Sequence, residues 1–597
     1  MIADLFPTCA RLRKTGDVAG ARVLLRDALR RGEVEDLERA GRSLAKDTEV
    51  PNATGVRVLG QCTTSWVPPV LTAVAWGRGM AIRVSDGDYD NILQELDRTE
   101  ETDILVLLPW TQRLFTGDDA KAAIEGELAF WSAAWERRRG AKLIQVGYDW
   151  TGPGPAGVTL SGTLGGRVER VRAMNAALRA RLPTGAAWID LEQIAGEMGR
   201  NEFYDPRGYR WTKQPFSTPG LELLCRHLAA AVRAITTGPK KVLVLDLDNT
   251  LWGGVVGETG AMGVAIRETP DGESFRAFQQ HCKGLSQRGV LLAVASKNNP
   301  ADALEPFEKN PDMVLRRSDF AGFEATWEPK AHALARMAAE LRLGLDSFVF
   351  FDDNPAEREH IRQALPEVEV VDVPEEPALY IRALESGLWF EAVTATAEDA
   401  ARSAQYQAES ARKSEESSFA SLDDYLVSLE MRADVRAVDD DDLERVVQLL
   451  GKTNQFNLTT RRHGTEVVQG WMADPRAVLL TVRVADRFGD HGLVAVILGI
   501  PDADDGTTLV VDTWLMSCRV IGRSVEQLSW GAVLDRARGL AYRRIRGAFI
   551  PTAKNQQVAT LYAEMGLSPV PSPVDGQTLF EGDVFTLPLP RTFVRCD

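Results

Sequence analysis

From Val56 onward, short and almost wholly apolar runs alternate with longer amphipathic stretches. That is the pattern of a parallel sheet whose strands are buried on both faces and connected by helices. VRVLG, DILVLLPW, AKLIQVGYDW and AAWIDL read as strands, and AAIEGELAFWSAAWERRR reads as a helix between two of them. Upstream, ARVLLRDALRRGEVEDLERAGRSLA repeats its apolar positions at helical spacing, which predicts a helical extension over 1–55. TTGPK, at 236–240, is a polar Gly-Pro break that closes a first α/β region at 56–238. A second region, 239–395, repeats the alternation through KVLVLDLDNT, VLLAVASKNN, SFVFFDDNP and VEVVDVP. Residues 396–421 predict a polar, mostly helical bridge. In the last region, 422–597, AVLLTVRVAD, GLVAVILGI and TTLVVDTWLM predict adjacent antiparallel strands, followed by the helix SVEQLSWGAVLDRARG. The fold class expected is α/β and multidomain, with no repeat of fixed period.

Composition narrows the picture. At 597 residues the chain suits about four domains, or three generous ones. Hydrophobic residues at 44% and charged residues at 26% exclude a largely disordered chain. The net charge of −16 argues against a nucleic-acid partner, which demands a basic face. It leaves room for a locally basic site facing a phosphorylated substrate or an acidic partner. Cys9, Cys62, Cys225, Cys282, Cys518 and Cys596 form no CxxC and no regular spacing, so neither a disulfide framework nor a zinc module is expected. MIADLFPTCARLRKTGD lacks the layout of a signal peptide, and no run of 18 apolar residues exists. The expectation is a cytoplasmic, soluble protein with no membrane contact.

The candidate chemistry begins at Lys241–Thr250. An apolar parallel strand delivers Asp246 and Asp248 to the carboxyl edge of its sheet, where open α/β folds bind ligands. Two acids there repel each other unless a divalent cation or phosphoryl transfer uses them. Alone, Asp-x-Asp reads more readily as two surface acids at a strand end. Three further segments favour chemistry. Leu291–Ala295 ends in Ser296, a hydroxyl placed for a phosphate oxygen; Lys330 precedes a helix as a fixed cation; and Ser347–Phe351 ends in Asp352, Asp353 and Asn354, oxygen donors suited to Mg²⁺.

In that order the four groups resemble the motifs of the haloacid dehalogenase (HAD) superfamily of phosphotransferases. The resemblance implies that Asp246 attacks phosphorus to form an aspartyl phosphate and that Asp248 is the acid and then the base. It implies Mg²⁺ held by Asp246, by Asp248 through its backbone carbonyl, and by Asp352 and Asp353. Ser296 and Lys330 would bind phosphate oxygens, with Thr250, Lys297 and Asn298 as further phosphate-binding candidates beside them. The segment after Asp246 has room for a short flap and one helix but no independent cap, so the expected site is uncapped and open.

A narrower likeness follows from DLDNTLWGGVVGE, SKNN, FVFFDDNPAERE, KTNQFNLTTRR and DRFGDHGLVAV. Together these are similar to FkbH-like proteins, which load glycerate from 1,3-bisphosphoglycerate onto an acyl carrier protein in polyketide assembly lines. The likeness runs from about residue 240 to the C-terminus. It implies a phosphopantetheinylated carrier as partner and glyceryl transfer as the reaction. The alternatives are a stand-alone Mg²⁺-dependent phosphatase and a scaffold that docks carriers without chemistry.

In the last region, Arg519, Gly522, Arg523 and Ser524 precede a helix, in a pattern that resembles the pyrophosphate loop of GNAT acyltransferases; an ordinary strand–helix turn is the other reading. Asn555 and Tyr562 resemble the second GNAT signature, which implies Asn555 beside the pantetheine arm and Tyr562 as proton donor to a departing thiolate. Cys518, next to Arg519 and a helix N-terminus, is the candidate acyl-carrying thiolate or else a small buried side chain. His491 is the candidate base, or a structural histidine. Arg461, Arg462 and Arg523 are candidates for docking an acidic carrier, or a solvated pair and a structural loop arginine. Residues 56–238 look like a degenerate SGNH-hydrolase-like domain. LGQCTTSW offers Thr64 or Ser65 as nucleophile, but DPRGYRWTKQPFS has no His and His227 lies elsewhere in a helix. Without a base, Ser–His chemistry is unavailable, and a scaffold or docking role is expected. Trp110, Trp131, Trp135 and Trp150 are expected to build core and surface contacts.

Overall fold

The computed structural model describes residues 5–46, 53–98, 102–393 and 421–596, apart from 116–118, 153, 155–156, 163–165, 268, 454–455, 488, 518–519, 553–554 and 575. Residues 394–420, which hold nearly all of the expected bridge, lie outside the described residues. The chain is a multidomain α/β protein with three sheets. It divides into two compact units: one is built on the residues up to Pro239, joined by a short stretch after Phe390, and the other holds Lys240–Phe390 and the third sheet. Among the described residues, no helix is long and apolar enough to cross a membrane.

The first unit carries a five-stranded parallel sheet in the order β2-β1-β3-β4-β5. Its strands are β1 (Thr54–Gly60), β2 (Ile82–Asp86), β3 (Ile104–Leu108), β4 (Lys142–Val146) and β5 (Ala187–Ile189). The N-terminal helices belong to the same core: Leu5, Ala21, Leu25 and Leu44 are buried in one cluster with Val56, Leu71 and Leu228.

The second sheet is also parallel and has the order β10-β9-β6-β7-β8. It comprises β6 (Val242–Leu245), β7 (Leu291–Ser296), β8 (Phe320–Ala325), β9 (Phe348–Phe351) and β10 (Glu369–Val370). Every residue of β6, β7 and β9 is buried, as a sheet covered on both faces requires. Alternation sends Leu243, Leu245, Val349 and Phe351 into one core, and Val242, Val244, Phe348 and Phe350 into the opposite one. The chain leaves central β6 for β7 and β8, then returns to β9 on the other side. This change of direction opens a crevice at the carboxyl ends of β6 and β9.

The third sheet has eight strands in the order β16-β17-β15-β14-β13-β12-β11-β18. Its strands are β11 (Arg432–Ala437), β12 (Val478–Asp486), β13 (Gly489–Pro501), β14 (Thr508–Met516), β15 (Arg544–Phe549), β16 (Ser568–Val570), β17 (Thr578–Asp583) and β18 (Arg595–Cys596). β12, β13 and β14 are adjacent and antiparallel, as their patterning predicts. β14 and β15 run parallel, and their pairing stops at Val511↔Gly547. Past that point the segment around Asn457 fills the gap: Leu458 N–H donates to Trp514 O (3.2 Å), Met516 N–H to Phe456 O (3.0 Å) and Ile550 N–H to Leu458 O (2.8 Å).

Candidate active site

β6 ends where Asp246 begins, and β9 ends one residue before Asp352, so strand pairing alone sets the two carboxylates side by side in the crevice. Lys330, the first residue of the helix Lys330–Glu340, brings its ammonium to 3.0 Å from Asp246 Oδ2 and 2.5 Å from Asp352 Oδ2. All three side chains are buried. Burial works against the Lys330 charge, but the charges of Asp246 and Asp352 outweigh it and hold its pKa above the ordinary value. Asp352 is raised, by burial first and then by the charge of Asp246, and Asp353 is raised for the same reasons.

Asp246, Asp352 and Asp353 each offer an oxygen within 4.8 Å of the others. Asp246 Oδ1 is buried and has no hydrogen-bond partner among the described residues. A buried carboxylate oxygen left without a donor is costly unless a cation satisfies it. Three hard oxygen donors around that atom fit Mg²⁺. Thr250 braces the set: its hydroxyl lies 3.3 Å from Asp353 Oδ1 and accepts the Asp353 N–H at 3.3 Å. Arg358, which sequence reasoning missed, donates to the carbonyls of Asp352 (2.8 Å) and Asp353 (2.7 Å) and fixes that turn. Nothing in the spacing marks it, because its role is a side chain reaching back over its own helix start.

The Asp248 side chain is turned to different partners. Its Oδ1 accepts from Trp252 Nε1 (2.9 Å) and the Val256 N–H (3.0 Å), and its Oδ2 accepts from Asn298 Nδ2 (2.9 Å). It is not one of the three carboxylates grouped around Asp246. Asn249 takes a left-handed φ of 53°, which asparagine tolerates, and turns the chain into the flap. The flap is pinned by a bridge between Gly253 and Ala265. Asn298 also donates to Ser296 Oγ (3.3 Å), so the ends of β6 and β7 share one polar chain. The Lys297 ammonium pairs with Glu357 at 2.6 Å, in the first turn of the helix Pro355–Ala364. Between Asp246 and Lys330, the described residues form the short helix Val256–Thr259, the helices Pro270–Gln287 and Pro300–Lys309, β7, the 3-10 turn Arg317–Asp319 and β8, with no separate cap among them.

In the third sheet, Cys518 and Arg519 lie outside the described residues. His491 is buried, and its Nε2 lies 3.0 Å from Asp486 Oδ2. A second histidine, His463, takes Asp512 Oδ2 at 2.7 Å. Arg461 binds the other oxygen of Asp512, and Arg462 donates to the carbonyl of Leu450. Both arginines thus have a partner within their own domain; Arg461 is partly exposed and Arg462 is exposed. Arg523, by contrast, is buried.

Two groups of the loop before the helix Val525–Gly539 have partners within the chain. The Gly522 N–H donates to Glu526 Oε1 at 2.6 Å, and the hydroxyl of Ser524 accepts the Phe593 N–H at 2.9 Å. Asn555 braces the gap-filling segment, donating to Asn457 O (3.0 Å) and Ile550 O (2.9 Å). Tyr562 is buried among Trp514, Trp530 and Phe580, and its hydroxyl has no hydrogen-bond partner among the described residues. Burial, then the charge of Asp512, pushes that hydroxyl's pKa up.

In the first sheet, Thr64 is buried and Ser65 is exposed. His227 pairs with Glu197 at 3.5 Å, and Asp205 caps the helix Pro206–Thr212. Trp131 and Trp135 are core residues, Trp110 packs on Tyr204 and Tyr209, and Trp150 lies under Arg200 at 3.8 Å.

No family model and no curated protein matches this chain. Among solved structures it is similar to the N-terminal part of the protein BF1531 from Bacteroides fragilis, described as containing a phosphatase domain complexed with Mg. The likeness has 28% identity and a TM-score of 0.55, and covers 60% of this chain and 99% of that one. Two acetyltransferase folds also align: the GNAT domain of S. lividans PAT (17% identity, TM-score 0.21, 25% of this chain and 89% of that one) and yncA from Salmonella typhimurium (11%, 0.20, 26% and 94%). Scores at that level decide nothing about the third sheet.

Proposed function

We propose that the crevice at β6 and β9 is a Mg²⁺-dependent phosphotransfer site of the HAD type, in a chain that is FkbH-like. The observation that carries this is the orphaned Asp246 Oδ1, buried between two further carboxylates and opposite a fixed lysine. Asp246, Asp352 and Asp353 would hold the ion, which screens the carboxylates from a phosphate dianion. Asp246 is the nucleophile and forms an aspartyl phosphate. Lys330 and Ser296 face the phosphate oxygens. Asp248, oriented by Trp252, Val256 and Asn298, protonates the leaving oxygen and then takes a proton from the attacking water. The BF1531 phosphatase domain, complexed with Mg, supports this reading.

The full reaction proposed is transfer of a glyceryl group from 1,3-bisphosphoglycerate to the pantetheine thiol of an acyl carrier protein, with loss of phosphate, in the cytoplasm for polyketide-type biosynthesis. The third sheet would carry the acyl transfer and the first unit would be a docking scaffold. Intact-mass analysis of a carrier after incubation with enzyme and 1,3-bisphosphoglycerate tests it: a glyceryl adduct is expected, and an unchanged carrier alongside released phosphate leaves only a phosphatase.

Two further outcomes are expected. Removing divalent cations with a chelator should stop phosphate release, and adding Mg²⁺ at ~100 times its Kd should stabilise the second unit by about 2.7 kcal/mol in denaturation experiments. Asp248→Asn should lower phosphate release about 10²–10⁴-fold, the usual worth of a positioned acid–base group, while leaving the Mg²⁺-induced stabilisation intact. Loss of both together would make Asp248 part of the metal site instead.

A further inference from the structure

Two of the three groups that hold the Asp248 carboxylate also mark the rim of the crevice. The Val256 N–H and the Asn298 amide reach it at 3.0 and 2.9 Å, and their chain neighbours Val255 and Asn299 are exposed. Asn299 in turn binds Trp327, whose ring is 68% exposed. A single exposed apolar side chain is ordinary on a protein surface. Trp327 differs because it is held in place. Its Nε1 donates to Asn299 Oδ1 at 3.0 Å, and Asn299 Nδ2 donates to Asp302 Oδ2 at 3.0 Å. Asn299 is the N-cap residue of the helix Pro300–Lys309, where an asparagine ordinarily accepts from the first turn, yet its side chain makes no capping bond. Its oxygen takes the indole instead. The backbone is fixed too: the Thr326 N–H donates to Ser296 O at 3.0 Å, so Trp327 directly follows a tie between the ends of β7 and β8.

We infer that Trp327 is a specificity-determining residue of this crevice: its indole face receives the leaving group, so the site favours phosphate monoesters whose alcohol presents an apolar or aromatic face beside the ester oxygen. The inference rests on the phosphotransfer reading above, in which Asp248 protonates the leaving oxygen, and it names the substrate class of that site. An alcohol that departs toward Asp248 emerges between the two segments that hold this carboxylate, with Val255 on one and the indole of Trp327 bound to the other. The described residues between Asp246 and Lys330 form no separate cap, so apolar contact with the substrate falls to these rim side chains. An indole already fixed by its own N–H loses little freedom when a ligand stacks on it, and that lowers the cost of binding.

The test uses the full-length protein with Mg²⁺ and two matched pairs of probes. Benzyl phosphate and ethyl phosphate report turnover; benzylphosphonate and ethylphosphonate, which cannot be hydrolysed, report binding by titration calorimetry. Wild type should bind benzylphosphonate about tenfold more tightly than ethylphosphonate, and kcat/KM should favour the benzyl ester by a similar factor. Trp327→Ala should bring both ratios close to one. Trp327→Phe keeps an aromatic face and removes only the donor to Asn299, so it should retain part of the preference, and it covers the case in which the alanine variant does not fold. A wild-type binding ratio near one would overturn the inference. So would a benzyl preference that survives Trp327→Ala, or no binding of either phosphonate by wild type. Turnover of neither ester, with a benzyl-selective binding that Trp327→Ala abolishes, would sink the phosphotransfer reading while leaving the Trp327 subsite in place.

Discussion

Asp246→Asn should reduce phosphate release by about three orders of magnitude or more, since residues that act as a nucleophile with its supporting groups lose nearly all catalysis when one is removed. The amide keeps the shape of the side chain but cannot open an in-line displacement at phosphorus. Its neighbours make the outcome specific. Asp246 Oδ2 meets Lys330 at 3.0 Å, and Oδ1 has no donor among the described residues. The variant therefore loses charge at a buried oxygen with no hydrogen-bond partner among the described residues, and Mg²⁺ should bind more weakly as well as turn over less. Release of phosphate from an aryl phosphate, followed at saturating Mg²⁺, separates these effects. If saturating metal restores the parent rate, Asp246 is a ligand only and the nucleophile lies elsewhere. A residual rate near background at every Mg²⁺ concentration is the result expected.

How much of this was legible in the sequence depends on how far each group reaches. Asp246, Ser296 and Asp352 stand at or just past the ends of wholly apolar strands, and the pairing of β6 with β7 and β9 brings such ends together without any special contact. Periodicity therefore carries both the sheet and the crevice. Lys330 opens a helix after β8, a position that chain order also marks. Less legible are the side chains whose partner is decided by rotamer and packing. Lys297 adjoins Ser296, one residue past the end of β7, and pairs with Glu357. His491 sits in an inviting Asp-His-Gly, but Asp486, across the β12–β13 turn, already holds it. Glu526 looks like an ordinary first-turn acid, favourable to the helix dipole; only its fold back onto Gly522 turns a loop that resembles an anion site into one that is filled. The Asn457 segment between β14 and β15 is equally invisible, since an irregular stretch with backbone bonds to two strands has no periodic signature.

Lys330→Met should destabilise the second unit by about 3–5 kcal/mol when no divalent cation is present, the usual cost of removing one partner from a buried ion pair. The reason is the company it keeps. Asp246 is 8% exposed and Asp352 fully buried, and both lose their only cation among the described residues. Two buried like charges then face each other, and the carboxyls can relieve this only by taking up a proton. The sign of the pH dependence follows. Asp352 already has its folded pKa raised above the ordinary carboxylate value, so the folded state binds its proton more tightly than the unfolded state does. Its contribution favours folding below the unfolded pKa and is lost as pH rises through the folded value. Without Lys330 the folded value of Asp352 rises further, so the deficit of the variant should be small near pH 4 and grow toward neutrality. Mg²⁺ should recover part of it, because the ion binds only the folded arrangement of Asp246, Asp352 and Asp353. Denaturation midpoints of both proteins at acid and neutral pH, with and without Mg²⁺, give the four comparisons needed. A deficit independent of both pH and Mg²⁺ would mean that Lys330 acts by packing against Phe350, whose ring centre lies 6.0 Å from its ammonium, and not by neutralising the acids.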